Sequence, residues 1–284
     1  MDLYLIIVII MLALAVSGLV VGVANDAVNF LNSALGSKAA PRYVIMTVAS
    51  VGIIVGAITS NGMMEVARSG VFHPEMFTFA EVMLLFLAVM FTNVILLDIF
   101  NTLGMPTSTT VSLVFGLLGA AVGISIFKIA NDALVTLPDG SLATMADMIN
   151  TGNAMAIIGG ILISVVIAFV CGTVVMYITR LIFSFRYQSK LKSYGAVWCG
   201  IALTAISYFA VFKGLKGTQV IPADWMSWME GHIPMMLGGL LVGWSLIMSI
   251  LSMLKVNILR ITVLAGTFSL ALAFAGNDLV NFIG

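Results

Sequence analysis

Charge is what this sequence has least of. Asp, Glu, Lys and Arg together make up 8% of its 284 residues, against about a quarter in soluble domains. So little charge cannot cover a water-facing surface, which excludes a soluble globular protein. Twelve basic residues balance twelve acidic ones, and no basic block is present, so nucleic acid is not an expected partner. The two cysteines, Cys171 and Cys199, lie in apolar stretches and read as buried thiols. No G-x-S-x-G elbow and no H-E-x-x-H pair occurs, so the sequence offers no nucleophile–base or metal constellation for an intramembrane enzyme. His73 and His232 stand alone in connections, and the nineteen methionines are dispersed among apolar positions and read as packing.

What is abundant is apolar sequence: 61% of residues are hydrophobic and the mean hydropathy is +1.18. Continuous apolar runs near 3–23, 43–62, 80–101, 109–130, 154–180, 195–213, 234–254 and 258–276 are each long enough to cross ~30 Å of hydrocarbon as a helix. They lack the in/out alternation of a transmembrane barrel. The first run has neither a basic flank nor a small-residue cleavage site, so it reads as a helix and not as a removed signal peptide. The fold class expected is an all-α polytopic membrane protein embedded in a lipid bilayer.

Basic residues concentrate on the cytoplasmic side of membrane proteins. The 180–194 connection carries Arg180, Arg186, Lys190 and Lys192, and the 131–153 connection carries Asp132, Asp139 and Asp147 with no Lys or Arg. Alternation from these two points places Lys38, Arg42, Lys255 and Arg260 inside and the N-terminus outside. Trp225 and Trp228, in the 214–233 connection, read as part of an interfacial aromatic belt. Glu65, Arg68, Glu75 and Glu81 read as solvated charges flanking a connection. Gly159 and Gly160 read as positions for close helix packing, within the chain or in a homodimer.

Two stretches break this pattern in the same way. Residues 24–32 read ANDAVNFLN and residues 276–284 read GNDLVNFIG, so Asp26 matches Asp278 with Asn, Val, Asn and Phe in register. Each copy follows an apolar helix, and the charge argument gives the two helices opposite orientations. Paired polar interruptions of this kind mark an inverted-repeat transporter with broken or re-entrant helices. The repeat then divides the chain at 1–257 and 258–284. An Asp inside a membrane segment costs a few kcal/mol even on lenient scales, which makes it a functional candidate by default. A capping role at the interface is the bland alternative, and it accounts poorly for the duplication.

A third polar stretch, NTLGMPTSTTVS over 101–112, contains Pro106, which cannot continue a helix, followed by Ser and Thr, which favour caps. A new helix is expected to start near Ser108, its N–H groups and positive dipole end making an anion site without a cation. Asn93, Asp98 and Asn101 fall on one arc of the helix leading into this turn and form a secondary cluster.

These residues resemble the inorganic phosphate transporter family. Its duplicated Gly-Ala-Asn-Asp-Val-Ala-Asn signature is matched by Ala24-Asn25-Asp26-Ala27-Val28-Asn29 and Gly276-Asn277-Asp278-Leu279-Val280-Asn281, and its Pro-x-Ser-Thr-Thr-His turn by Pro106-Thr107-Ser108-Thr109-Thr110. Val28 and Val280 replace the usual Ala, Val111 replaces the His, and Val23 replaces the opening Gly. GSKAA at 36–40 is similar to the segment that often follows the first signature. The resemblance implies a secondary transporter of the bacterial inner (plasma) membrane that moves inorganic phosphate with Na+, or with H+, and needs no further cofactor. A proton-coupled permease for sulfate or another oxyanion is the alternative. Asp26 and Asp278 are then expected to hold the cation, with Asn25 and Asn277 lining the same cavity. Ser108, Thr109 and Thr110 are expected to hold the anion, and Asn29 and Asn281 to serve either ligand; Asp98 and Asn101 are secondary. The sequence stops within the second signature, so the chain is expected to be an N-terminal fragment of a longer protein.

Overall fold

The computed structural model describes residues 3–59, 70–132, 136, 140–183, 187–215 and 222–277. Asp278 and Asn281 of the second signature lie outside the described residues, as do Glu65, Arg68, Asp139, Arg186 and the side chain of Asn277.

Among the described residues eight helices are long and apolar enough to cross a membrane. They are α1 (Leu3–Gly36), α2 (Arg42–Thr59), α3 (Phe79–Thr102), α4 (Thr109–Ala130), α6 (Thr151–Ile182), α7 (Tyr187–Phe209), α9 (Ile233–Met253) and α10 (Ile258–Asn277). Two short helices, α5 (Met145–Met148) and α8 (Ala223–Gly231), occupy connections. Large apolar side chains lie exposed along most of the long helices, which only a lipid surround can accommodate. The protein is therefore an all-α, multi-pass membrane protein, with the expected helices in the expected order. Trp225 and Trp228 lie exposed on α8.

One boundary departs from expectation. The first polar signature does not interrupt a helix, because α1 runs unbroken through it to Gly36. Between Val23 and Leu35 there is neither Gly nor Pro, so no residue there forces a break. The helix ends only at Gly36-Ser37-Lys38, where the Ala39 N–H bonds the Ala34 carbonyl and Lys38 takes a φ of 51°. The break between α3 and α4 lies where Pro106 was expected to put it.

The chain forms two compact units that do not follow chain order. The first comprises Met1–Asp26, Gly62–Val166 and Asn277–Gly284; the second comprises Ala27–Asn61 and Ile167–Gly276. In the first unit α3 and α4 are an antiparallel hairpin. Leu85, Val89, Asn93 and Leu97 form one buried ridge at four-residue spacing, facing Leu113, Leu117, Ala121 and Ser125 on the other arm. Such i+4 rows are what interdigitate when helices pack. The hairpin's open end is closed by two connecting segments. Phe72 pairs with Ile149 in an isolated antiparallel bridge, with the His73 N–H on Met148 O at 2.9 Å and the Asn150 N–H on Val71 O at 3.0 Å. Val71, Phe72, Phe77, Ala143 and Met148 join the buried cluster beneath.

Lys128, near the end of α4, is buried to 2% exposure in this cluster. Its Nζ donates to Glu81 Oε2 at 2.9 Å and to Met76 O at 3.0 Å, and lies 5.6 Å from the Phe77 ring centroid. Glu81 is therefore not the solvated charge expected of it. Its carboxylate also accepts the Thr78 N–H at 2.7 Å while the Thr78 hydroxyl accepts the Glu81 N–H, a capping box that opens α3. One carboxylate thus caps one helix and neutralises the lysine of the other.

In the second unit α2 and α10 pack in parallel through small residues. A Cβ built at Gly52 would meet Phe268 O at 2.6 Å and Ala271 Cβ at 3.0 Å. One built at Gly56 would collide with Leu272 O and meet Ala275 Cβ at 2.8 Å. This Gly-x-x-x-Gly seam lets two backbones approach closely. The glycines expected to serve packing, Gly159 and Gly160, have open space around them among the described residues. In the same unit α7 and α9 pack around Cys199, Leu203 and Met248, with the Trp244 Nε1–H on Ser207 Oγ at 2.9 Å.

Two outcomes test these contacts in detergent-solubilised protein. Gly56→Val is expected to lower stability by at least about 1–3 kcal/mol, since it overpacks against backbone, with a visible fall in thermal midpoint, whereas Gly159→Ala leaves the midpoint unchanged. Lys128→Met leaves Glu81 in a partly buried site without its cation and is expected to cost roughly 3 kcal/mol, the low end for a broken buried pair because Glu81 keeps some solvent contact. Adding Glu81→Gln should recover part of that loss in the same thermal scan.

Candidate functional site

The break between α3 and α4 is assembled by local chemistry. The Gly104 N–H bonds the Asn101 carbonyl at 3.0 Å and the Met105 N–H bonds the Phe100 carbonyl at 2.9 Å. This is a Schellman ending, with Gly104 at the left-handed position (φ +68°) that a side chain would strain. Pro106 follows and prevents resumption. The helix restarts at Thr109, with Ser108 in extended conformation as N-cap and its hydroxyl accepting the Val111 N–H at 3.3 Å. The first-turn N–H groups of α4 thus face the break, at the positive end of a helix of 22 residues.

What holds the break in place comes from α1. Asn25 is buried to 4% exposure, and its Oδ1 accepts the Thr107 N–H at 3.0 Å. Its Nδ2 donates to Asn101 Oδ1 at 2.8 Å, and Asn101 Nδ2 in turn donates to Val21 O at 3.0 Å. One carboxamide therefore grips both sides of the turn, the end of α3 and the residue before the N-cap of α4. A turn of backbone beneath a membrane surface needs such partners, because lipid offers none. Farther along the hairpin, the Ser112 hydroxyl donates to buried Asn93 Oδ1 at 2.5 Å.

The other expected residues divide by burial. Asp26, next to Asn25, is 7% exposed and Thr109 is 2% exposed. Ser108 is exposed and Thr110 half-buried. Within this unit Asn25, Asn101 and the Pro106–Ser108 turn come together as expected, and Asp26 follows Asn25 directly on α1. Asn29 is exposed and belongs to the second unit. Asp98 is exposed, set apart from the buried Asn93 by its place on the helix arc. Sequence reasoning missed the Thr107 N–H and Val21 carbonyl, since backbone groups carry no sequence signal. It also missed the Ser112–Asn93 pair, although both residues lie in stretches it singled out.

Electrostatically the turn has no basic side chain of its own. Lys128, the first unit's one described Lys or Arg, sits about 30 Å farther along α4 and is committed to Glu81. Among the described residues no cluster of three His, Cys, Asp or Glu side chains suits a metal ion. The site therefore offers amide and hydroxyl donors, a helix N-terminus and one buried carboxylate.

The chain is similar to known proteins. The chain is 25% identical over 200 residues to a putative phosphate permease of Thermococcus kodakarensis, a match covering 69% of this chain and 45% of that protein. It thus spans less than half the length of the curated relative that it matches. The fold is similar to that of a solved structure described as the sodium-dependent phosphate transporter, with a TM-score of 0.53 at 14% identity over 96% of this chain and 76% of that one. The sequence pattern of the phosphate transporter family matches residues 22–284, both signatures and the intervening turn included, and the chain belongs to that family.

Proposed function

We propose that this chain is part of a secondary transporter that carries inorganic phosphate across the membrane with a cation, Na+ in preference to H+. The observation that carries the reading is the Asn25 carboxamide bonded to Asn101 and to the Thr107 N–H, which ties the turn before α4 to the α1 residue that precedes the buried Asp26. An oxyanion needs donors, and here Ser108, Thr109, Thr110 and the first-turn N–H groups would supply them. With no basic side chain at the turn among the described residues of this unit, a co-transported cation would supply the balancing charge. Sodium prefers oxygen ligands, which Asp26 and its repeat counterpart Asp278 would provide, together with Asn277. Asn25 then acts chiefly as a positioning residue, since its carbonyl oxygen is engaged by Thr107. Asn29 and Asn281 remain candidates for either ligand, and Asp98 and Asn101 for a supporting role.

Membership of the phosphate transporter family and the titles of both relatives support phosphate as cargo, and the solved relative's title supports sodium. The duplicated signature supports an inverted repeat, with the first copy and its connecting helices over 1–257 and the second opening at 258. Proton-coupled sulfate transport is the reading to test against.

The test is radiolabelled uptake into proteoliposomes, comparing phosphate with sulfate under a sodium gradient, a proton gradient or neither. Phosphate uptake that requires sodium is expected, and uptake of sulfate driven by the proton gradient alone would overturn the assignment. Asp26→Ala is expected to abolish uptake in correctly inserted protein; sodium-dependent uptake at the wild-type rate would remove Asp26 from the cation site. Asn25→Ala should cut the rate by roughly tenfold or more, as misplacement of a bound group does, with the sodium dependence retained.

A further inference from the structure

The zero net charge conceals a segregation. The second unit, Ala27–Asn61 and Ile167–Gly276, holds ten of the twelve Lys and Arg residues and only two of the twelve acids. The acids are Asp224 and Glu230, both on α8. No acidic residue occurs between Asp147 and Asp224. The first unit carries the complementary excess, ten acids against two bases.

Six of the second unit's ten cations gather at one end of it. Because α2 and α10 run in parallel, with Gly52 at Phe268 and Gly56 at Leu272, their starts at Arg42 and Ile258 share an end. A Cβ at Gly195 would meet Ile258 Cδ1 at 3.4 Å, which brings the first turns of α7 to the same place. Lys38 and Arg42, Lys190 and Lys192, and Lys255 and Arg260 therefore form one rim from three separate connections. All six are exposed, and among the described residues none pairs with a carboxylate. The two acids of the unit lie at the opposite end, on α8 between the end of α7 and the start of α9.

Tyrosines are interleaved with these cations. Tyr43 is 73% exposed beside Arg42, Tyr187 and Tyr194 are about half exposed, and Lys190 Nζ lies 5.7 Å from the Tyr194 ring centroid. Arg180, at the end of α6, closes a shallow groove that runs along that helix past Tyr177, Thr173 and Gly172 to Ala168. Immediately below the cations the surface is exposed and apolar, with Val197 and Ile201 on α7 and Leu254 and Val256 at the turn.

A soluble anion would satisfy the cations and leave the apolar flank unmatched. An amphipathic anion satisfies both, its phosphate at the Lys and Arg side chains, its glycerol region at the tyrosines and its acyl chains on the apolar flank. We infer that this rim is a binding surface for anionic phospholipid headgroups, selective over zwitterionic ones, and built from none of the residues proposed for transport. Long basic side chains extend to such headgroups while their stems cover apolar surface.

The test uses the full chain in mixed micelles with equal phosphatidylglycerol and phosphatidylcholine, captured on resin, washed, and its retained lipid separated by thin-layer chromatography and counted. Phosphatidylglycerol is expected to be retained at least about fivefold over phosphatidylcholine at low salt. That preference should decline toward parity as NaCl rises from about 50 mM to about 500 mM, because exposed charges are screened. Lys190→Gln with Lys192→Gln and Lys255→Gln should abolish most of the preference, whereas Lys213→Gln, beyond the other end of α7, should keep it. Retention at parity by the unaltered chain would overturn the inference, showing charges that set topology alone. Loss of phosphatidylglycerol on adding inorganic phosphate at constant ionic strength would also overturn it, in favour of a soluble-anion site. The salt series on unaltered protein keeps the test decisive if the triple variant fails to fold.

Discussion

A chain in lipid can interrupt a helix only where its own atoms satisfy the exposed backbone, and the Asn25 carboxamide meets that demand here. It accepts the N–H of Thr107 on one side of the break and bonds the side chain of Asn101 on the other. Without it the Pro106 turn would carry a backbone donor with no bond from α1. With it, the N-terminus of α4 is held at a defined place against α1, one residue from a buried Asp. The free N–H groups of that helix end and the buried Asp26, next to Asn25 on α1, belong to one compact unit.

The opposite end of the same hairpin is fixed by different chemistry. Buried Lys128 and half-buried Glu81 form a pair that also caps α3 and anchors the Met76 carbonyl. Between the two ends run complementary ridges of apolar side chains and the Ser112–Asn93 hydrogen bond. The hairpin is thus constrained at its turn, along its length and at its open end. A rigid hairpin suits a site that must present helix N–H groups in a fixed direction, since electrostatic recognition depends on donors that do not have to reorganise. Lys128 is tied off far from the turn, so among the described residues of this unit the positive charge at the turn is that of the helix dipole.

Much of this was legible in the sequence because it is encoded locally. Gly104-Met105-Pro106 followed by Thr107-Ser108-Thr109 is a stop signal and a start signal, and both act where they stand. The apolar runs carried the helices for the same reason. The misread positions are those where local chemistry permits two outcomes. Asn and Asp at 25–29 are compatible with a helix end or with a helix interior whose polar groups find distant partners, and α1 takes the second course. Glu81 is compatible with solvent or with a buried lysine 47 residues away. Thr78-x-x-Glu81 was a readable capping box, but the lysine was not readable from it. Gly52 and Gly56 form the close seam of the second unit although their own stretch did not mark them for it, because a seam is defined by the facing helix.

The sequence by itself determined that the chain lives in lipid, which runs form its eight described membrane-length helices, where the hairpin turns and which polar residues are duplicated. Composition, periodicity and caps act over a few residues, so the order of residues is sufficient to set them. Only the tertiary structure decided that Asn25 grips Asn101 and Thr107, that Lys128 is buried on Glu81, and that Lys38, Lys190 and Lys255 share one rim. Those outcomes join residues tens to hundreds of positions apart, and no local pattern records which helix a side chain will meet.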